Sequence, residues 1–207
     1  MPVLLSVHPV NPQPRLLRQA TELLQSGAVL AVPTDTCYAL ACQLDDKSAA
    51  DTLRRVRQLD ARQHLSLLCR DLHELSSYAR VDNAQFRLLK LGTPGPFAFI
   101  LQASKEVPRR VSHPQRKTIG LRVPGHAVVQ ALIGLHGAPL LATTLILPGD
   151  TEPLNDPEAM PDRLDDRVAA VIDAGAGPGV PSTVIDLSHG VAQLLRRGLG
   201  DPARLGL

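Results

Sequence analysis

Ten short apolar runs, each three to seven residues long, alternate in this chain with stretches of helical periodicity, which confines it to a sheet covered by helices. Leu4–Val7, Ala28–Val32, Tyr38–Leu44, Leu65–Cys69 and Phe97–Leu101 read as strands. So do Thr118–Val123, Leu140–Thr144, Ala169–Ile172, Val184–Leu187 and Gln193–Leu195. Leu16, Leu17, Ala20, Leu23 and Leu24 recur at helical spacing, with Asn11 as expected N-cap, Pro12 at the first helical position and Gly27 as terminator. Lys47–Leu59 and Ala127–Leu135 read as further helices, and Asp71 and Asp82 suit the N-caps of two more. No repeat and no Gly/Ser linker divides the 207 residues, so a single α/β domain is expected over 1–207. Its sheet should be twisted, mixed parallel and antiparallel, and flanked by helices. Apolar residues make up 44% and aromatic ones 2%, so aliphatic side chains must fill the core.

Several classes of function are excluded at this level. No run approaches the roughly 20 apolar residues of a membrane span, and the first residues lack the basic and apolar regions of a signal peptide, so a cytoplasmic protein with no membrane partner is expected. Cys37, Cys42 and Cys69 fit neither a disulfide framework nor a zinc pattern and read as reduced thiols, while the seven histidines show no metal-ligand spacing. No metal site is assigned. Phosphate-cradling glycine loops, a nucleophile elbow and H-E-x-x-H are all missing, and the turns Thr93–Pro96 and Gly175–Gly179 read as plain turns.

Two features point to chemistry. Hydroxyl clusters flank three apolar runs: Thr34 and Thr36 around Asp35 and the pair Thr143 and Thr144 close theirs, and Ser182 with Thr183 precedes Val184–Leu187. Ligands of open α/β sheets sit at strand ends, so these clusters are expected to share one polar pocket. The formal charge is only +2, but 18 of the 22 basic residues are arginine, and Lys105–Arg122 sets six bases against Glu106 alone. Arg109, Arg110, Arg116 and Lys117 are therefore candidates for a phosphate-binding face, or else simply a solvated one.

Val29–Thr36 with Tyr38 resembles the opening motif of the YrdC-like threonylcarbamoyl-AMP synthase family, and later stretches follow that family's order. These are Thr93-Pro94-Gly95-Pro96 with Phe99–Leu101, Gly120–Pro124, Pro181–Asp186 and Leu195-Arg196-Arg197-Gly198. Cys69–Leu72, Lys105–Arg110 and Lys117–Gly120 resemble its YciO branch in particular. The resemblance implies a YrdC-like domain with a large basic concave surface that binds L-threonine and ATP with Mg²⁺. In active relatives a carbamate made from bicarbonate and threonine attacks the α-phosphate, releasing pyrophosphate and forming threonylcarbamoyl-AMP for tRNA modification. Alignment and positive charge carry such chemistry, so no covalent nucleophile and no catalytic residue is assigned.

By the same resemblance Thr36, Arg122 and Ser182 would hold L-threonine, and Thr144, Arg196 and Arg57 would face the adenine nucleotide. Arg109, Arg110, Arg116 and Lys117 would grip RNA or tRNA by its backbone, since few aromatics are available to stack on bases. Taken alone, Thr36 caps a turn, Ser182 starts a strand, and Arg122 and Arg196 make surface pairs. Three positions depart from the family pattern: Leu59 replaces a phosphate-binding arginine, Ala98 a threonine and Ile146 an asparagine. Two readings follow. One is a nucleotide- and double-stranded-RNA-binding protein with reduced or altered synthase activity; the other is an active ATP-dependent synthase.

Overall fold

A computed structural model describes residues 1–60 and 62–207. In chain order the elements are β1 (Val3–Ser6), α1 (Pro14–Gln25), β2 (Val29–Val32), β3 (Ala39–Gln43), α2 (Lys47–Arg57), β4 (Ser66–Leu68), α3 (Leu72–Tyr78) and α4 (Asn83–Gly92). Then come β5 (Phe97–Gln102), β6 (Thr118–Arg122), α5 (Ala127–His136), β7 (Leu140–Thr144), α6 (Met160–Arg163), β8 (Val168–Asp173), β9 (Thr183–Asp186) and β10 (Gln193–Arg196). One ten-stranded sheet runs β1-β8-β2-β3-β7-β4-β6-β5-β9-β10. It is mixed, as expected: β1·β8, β2·β8, β4·β6 and β5·β9 are parallel, and β2·β3, β3·β7, β4·β7, β5·β6 and β9·β10 antiparallel.

Local chemistry explains most helix boundaries. The side chains of Asp46, Asp71 and Asp82 accept first-turn backbone N–H groups, and Asp82 with Gln85 forms a reciprocal capping box. The start of α1 differs from expectation, because Gln13 is the N-cap and Pro14 the first helical residue. A second proline at the same offset takes the role given to Pro12, and both satisfy the rule that proline tolerates the first turn. Helix α2 also stops early: Gln58 is left-handed (φ 52°), so Leu59 leaves the helix instead of continuing its face. α6 and a 3₁₀ turn at Pro202–Leu205 were not legible, since four residues are too few to show a period. No helix among the described residues is long and apolar enough to cross a membrane.

The cover over the sheet is unequal on its two faces, and the site follows from this. One face is buried along its length: Cys42, Leu67, Phe99, Leu121, Leu141 and Ile185 pack with Leu53 of α2, Leu75 of α3 and Leu89 of α4. Positions of opposite parity point to the other face. There, α1 and α5 cover β1, β8, β2, β3 and β7 with the near end of β4, packing Leu24, Val129 and Leu132 against Ile172, Ala41, Leu140 and Leu68. Over β4, β6, β5 and β9 the same face carries Ser66, Gly120, Arg122, Ala98, Ile100 and Val184, which line a cavity.

Candidate functional site

The cavity measures about 260 Å³, close to the lower end of small-molecule sites at roughly 300–1,000 Å³. Gly120 forms part of its floor. A Cβ there would stand 2.6 Å from the Ser66 hydroxyl and 3.0 Å from the Leu65 carbonyl, so only glycine keeps β6 this close to β4. Two of the hydroxyl clusters reach the cavity as expected, through Thr143 and Thr144 at the end of β7 and Ser182 at the start of β9. Arg57, Arg122 and Arg196 line it as well, and among the described residues no carboxylate does.

Thr36 is placed differently. It is fully buried behind the wall, and the adjacent lining residue is Cys37. The Thr34 hydroxyl donates to the Cys37 carbonyl at 2.7 Å, so in the 3.0 Å contact between the two hydroxyls Thr36 is the donor. The threonine pair therefore braces the turn that carries Asp35 and Cys37. This turn is tied in further by Gly179 N–H donating to the Thr36 carbonyl at 2.9 Å and by the Tyr38 hydroxyl donating to the Gly175 carbonyl at 2.9 Å. The glycine-rich stretch after β8 is thus a buttress of the site. Burial pushes the Cys37 thiol's pKa up, against the pull of its Thr36 contact and of Arg122, so the cavity holds a neutral thiol and no poised nucleophile. All three cysteines are free and buried.

Arg122 ends β6 with its side chain 8% exposed and pairs with Asp35 at 2.7 Å. Burial lowers the guanidinium's pKa while Asp35 opposes the change, and the Arg122 Nε and Asp35 Oδ2 are buried without partners. Arg196 gives Nε and one terminal N–H₂ to the Ser182 carbonyl at 3.2 and 2.9 Å. That reach depends on Gly198, whose added Cβ would lie 2.1 Å from the Pro181 carbonyl oxygen. Arg57, in the last turn of α2, donates to the Ile146 carbonyl and keeps a buried, unpartnered Nε.

The four residues proposed from sequence for RNA are not in the lining. Arg110 is directed to the Leu44 carbonyl at 3.1 Å, beside Val107 and Val111, which pack in the core on the opposite face. Arg116 and Lys117 are nearer the cavity: the Arg116 N–H donates to His113, whose ring lies 5.1 Å from that of the lining residue His64. Arg109 is exposed.

Sequence reasoning missed His64, Gln63 and Ser66, all in the lining. No motif marks them. The available signal is the strand period, since 64, 66 and 68 share a face once any one of them is known to reach the pocket. His64 Nε2 and the Thr118 hydroxyl are 2.8 Å apart, and burial, with His113 and Arg116, lowers its pKa. Burial likewise lowers the pKa values of His126 and His136.

These depressed values fix a sign. Each imidazole binds its proton more weakly folded than unfolded, so its contribution to stability is complete above the unfolded value of about 6.5 and is lost as pH falls through the folded value. The urea midpoint should fall between pH 7 and pH 5, and restoring the pH should restore it. A midpoint that rises over this range would contradict the assignment.

Comparison with known proteins bears on this site. The profile of the Sua5/YciO/YrdC family, described as telomere recombination, matches residues 22–198. The chain belongs to this family. Among curated Sua5/YciO/YrdC relatives, the uncharacterized protein YciO of Escherichia coli is 47% identical over 94% of this chain and 95% of its own length. The threonylcarbamoyl-AMP synthase of Vibrio vulnificus is 29% identical over 88% of the chain and 98% of its own. The crystal structure of E. coli YciO superposes with a TM-score of 0.95 at 45% identity, covering 99% of this chain and all of that one. The P. abyssi Sua5 structure complexed with L-threonine superposes at 0.87 with 26% identity, over 95% of this chain and 57% of the larger protein. The expected α/β fold and the YciO branch are thereby shown.

Proposed function

We propose that this chain binds an L-amino acid and an adenine nucleotide in the cavity, with L-threonine as the first amino acid to test, and retains threonylcarbamoyl-AMP synthesis at a reduced rate. The observation that carries the reading is Arg122: a buried guanidinium facing a cavity, with one edge fixed by Asp35 and donor capacity left for a ligand carboxylate. Ser182 adds a hydroxyl for the amino acid; Arg57, Arg196 and Thr144 stand on the same cavity as candidates for the phosphate side. The family membership and the L-threonine complex of a Sua5 protein support the choice of amino acid. ATP would enter as its magnesium complex, with the cation carried by the phosphates. Among the described residues no group of three or more His, Cys, Asp or Glu side chains could hold an ion.

The attenuation rests on Leu59, Ala98 and Ile146, which all line this one cavity. If each missing contact is worth about 1–3 kcal/mol, their joint loss slows turnover by orders of magnitude at about 1.4 kcal/mol per tenfold. One observation favours the alternative, a fully active synthase: Arg57 reaches the cavity from the end of α2 and can take over a phosphate contact that Leu59 cannot make. Incubation with ATP, L-threonine, bicarbonate and Mg²⁺ separates these. Slow threonine-dependent pyrophosphate release is expected; release at the rate of an active synthase supports the alternative, and none above a buffer blank ends both.

RNA or tRNA is the proposed macromolecular partner, gripped by the exposed cations Arg109, Arg116 and Lys117, the last two in the turn whose His113 stands against the lining residue His64, and by Arg110 as far as its tether allows. Binding by phosphate contacts releases counterions, so affinity for a duplex RNA should fall linearly in log–log with salt. A salt-independent affinity would remove RNA from the proposal.

A further inference from the structure

The cavity is chemically two-sided, and its charge is countable. Arg57, Arg122 and Arg196 stand against one adjoining carboxylate, Asp35, and among the described residues no lysine, aspartate or glutamate lines the space, which leaves two positive charges for a ligand. Two of the three guanidiniums also commit donors to main-chain carbonyls, Arg57 to Ile146 and Arg196 to Ser182. The remaining wall is hydrocarbon: Leu59, Ala98, Ile100, Ile146 and Val184. Leu59 and Ile146 flank the Arg57 end, Leu59 through the left-handed turn at Gln58 and Ile146 through the carbonyl that holds the guanidinium.

We infer that the site is matched to a nucleoside 5′-monophosphate, free or as an acyl adenylate whose carboxylate takes Arg122, and discriminates against the triphosphate. This deepens the reading of the cavity as a nucleotide and amino-acid site, and rests on it. A carboxylate with the singly charged acyl phosphate of an adenylate, or a lone monophosphate, carries about two negative charges and meets the two uncompensated cations. A triphosphate brings about four, and its additional oxygens would be desolvated against the hydrocarbon of Leu59 and Ile146, where Arg57 already gives a donor to the Ile146 carbonyl. Among the described residues the cavity offers no carboxylate to fix a cation there.

Calorimetric titration of the intact protein with AMP, ADP and ATP, each with and without Mg²⁺, tests this. AMP is expected to bind at least tenfold more tightly than ATP, with ADP between them. Leu59→Arg, which adds a donor to the hydrocarbon end, should shift the ATP-to-AMP affinity ratio at least tenfold toward ATP. Ile146→Asn should shift it in the same direction if the first variant folds poorly. ATP binding more tightly than AMP to the unaltered protein, or a ratio that neither variant moves, overturns the inference while leaving the nucleotide site standing. Binding of none of the three overturns the site as well.

Discussion

Replacing Arg122 by alanine is expected to abolish amino-acid binding and to lower stability by about 3–5 kcal/mol, because it strands Asp35 as a buried carboxylate. The pair is enclosed on both sides, with side-chain exposures of 8% for Arg122 and 14% for Asp35, so solvent cannot replace the lost partner. Asp35 Oδ2 already lacks a hydrogen bond, and in the variant Oδ1 would lose its own at 2.7 Å. The double variant Arg122→Ala with Asp35→Ala separates the two effects. Removing both charges should recover much of the stability, since no charge is left buried alone, whereas amino-acid binding should stay lost because only Arg122 faces the cavity. Urea midpoints and calorimetry with L-threonine read both quantities. A single variant that still binds L-threonine with its usual affinity would remove Arg122 from the site. The pair also gives the acid of the Thr34-Asp35-Thr36 turn a definite task, which is to aim a guanidinium.

The fold was legible where local chemistry decides it. All ten apolar runs became strands, and Asp71 and Asp82 capped helices where they were expected to. The strand order was not, because the pairing of β1 with β8 across more than 160 residues leaves no mark in either segment. The cavity was legible as a set of residue types but not as directions. Thr144, Ser182, Arg57, Arg122 and Arg196 converge on it, while Thr36 turns inward because the turn's own hydrogen bonds claim its hydroxyl. A motif in a turn carries no period from which to read which way each side chain points, whereas a strand does. A different reason hid His64 and Ser66, whose alternation becomes informative only once it is known that α1 and α5 leave half of that sheet face uncovered.

Gly198→Ala should detach Arg196 from the cavity while leaving most of the protein folded. A Cβ at this position would lie 2.1 Å from the Pro181 carbonyl oxygen and 2.6 Å from the Ser182 carbonyl carbon, and both are backbone atoms that no rotamer change can move aside. The close approach is what lets the Gly198 N–H donate to the Thr183 hydroxyl at 2.9 Å and Arg196 reach the Ser182 carbonyl. Something must give, and β10 is the weakest candidate. It is an edge strand, every one of its four residues is exposed, and β9 is its one partner. Local opening at such an edge is far less costly than global unfolding. Hydrogen exchange should therefore show β10 amides losing protection while those of β3, β4 and β7 keep theirs. Nucleotide affinity should fall by the worth of a charge-assisted contact, about 1.5–3 kcal/mol, or roughly ten- to a hundredfold. Arg196→Ala should match that loss in affinity without the change in exchange, because the strand then stays in place and only the guanidinium is gone. Unchanged affinity in both variants would show that the terminal arginine serves the Ser182 turn alone.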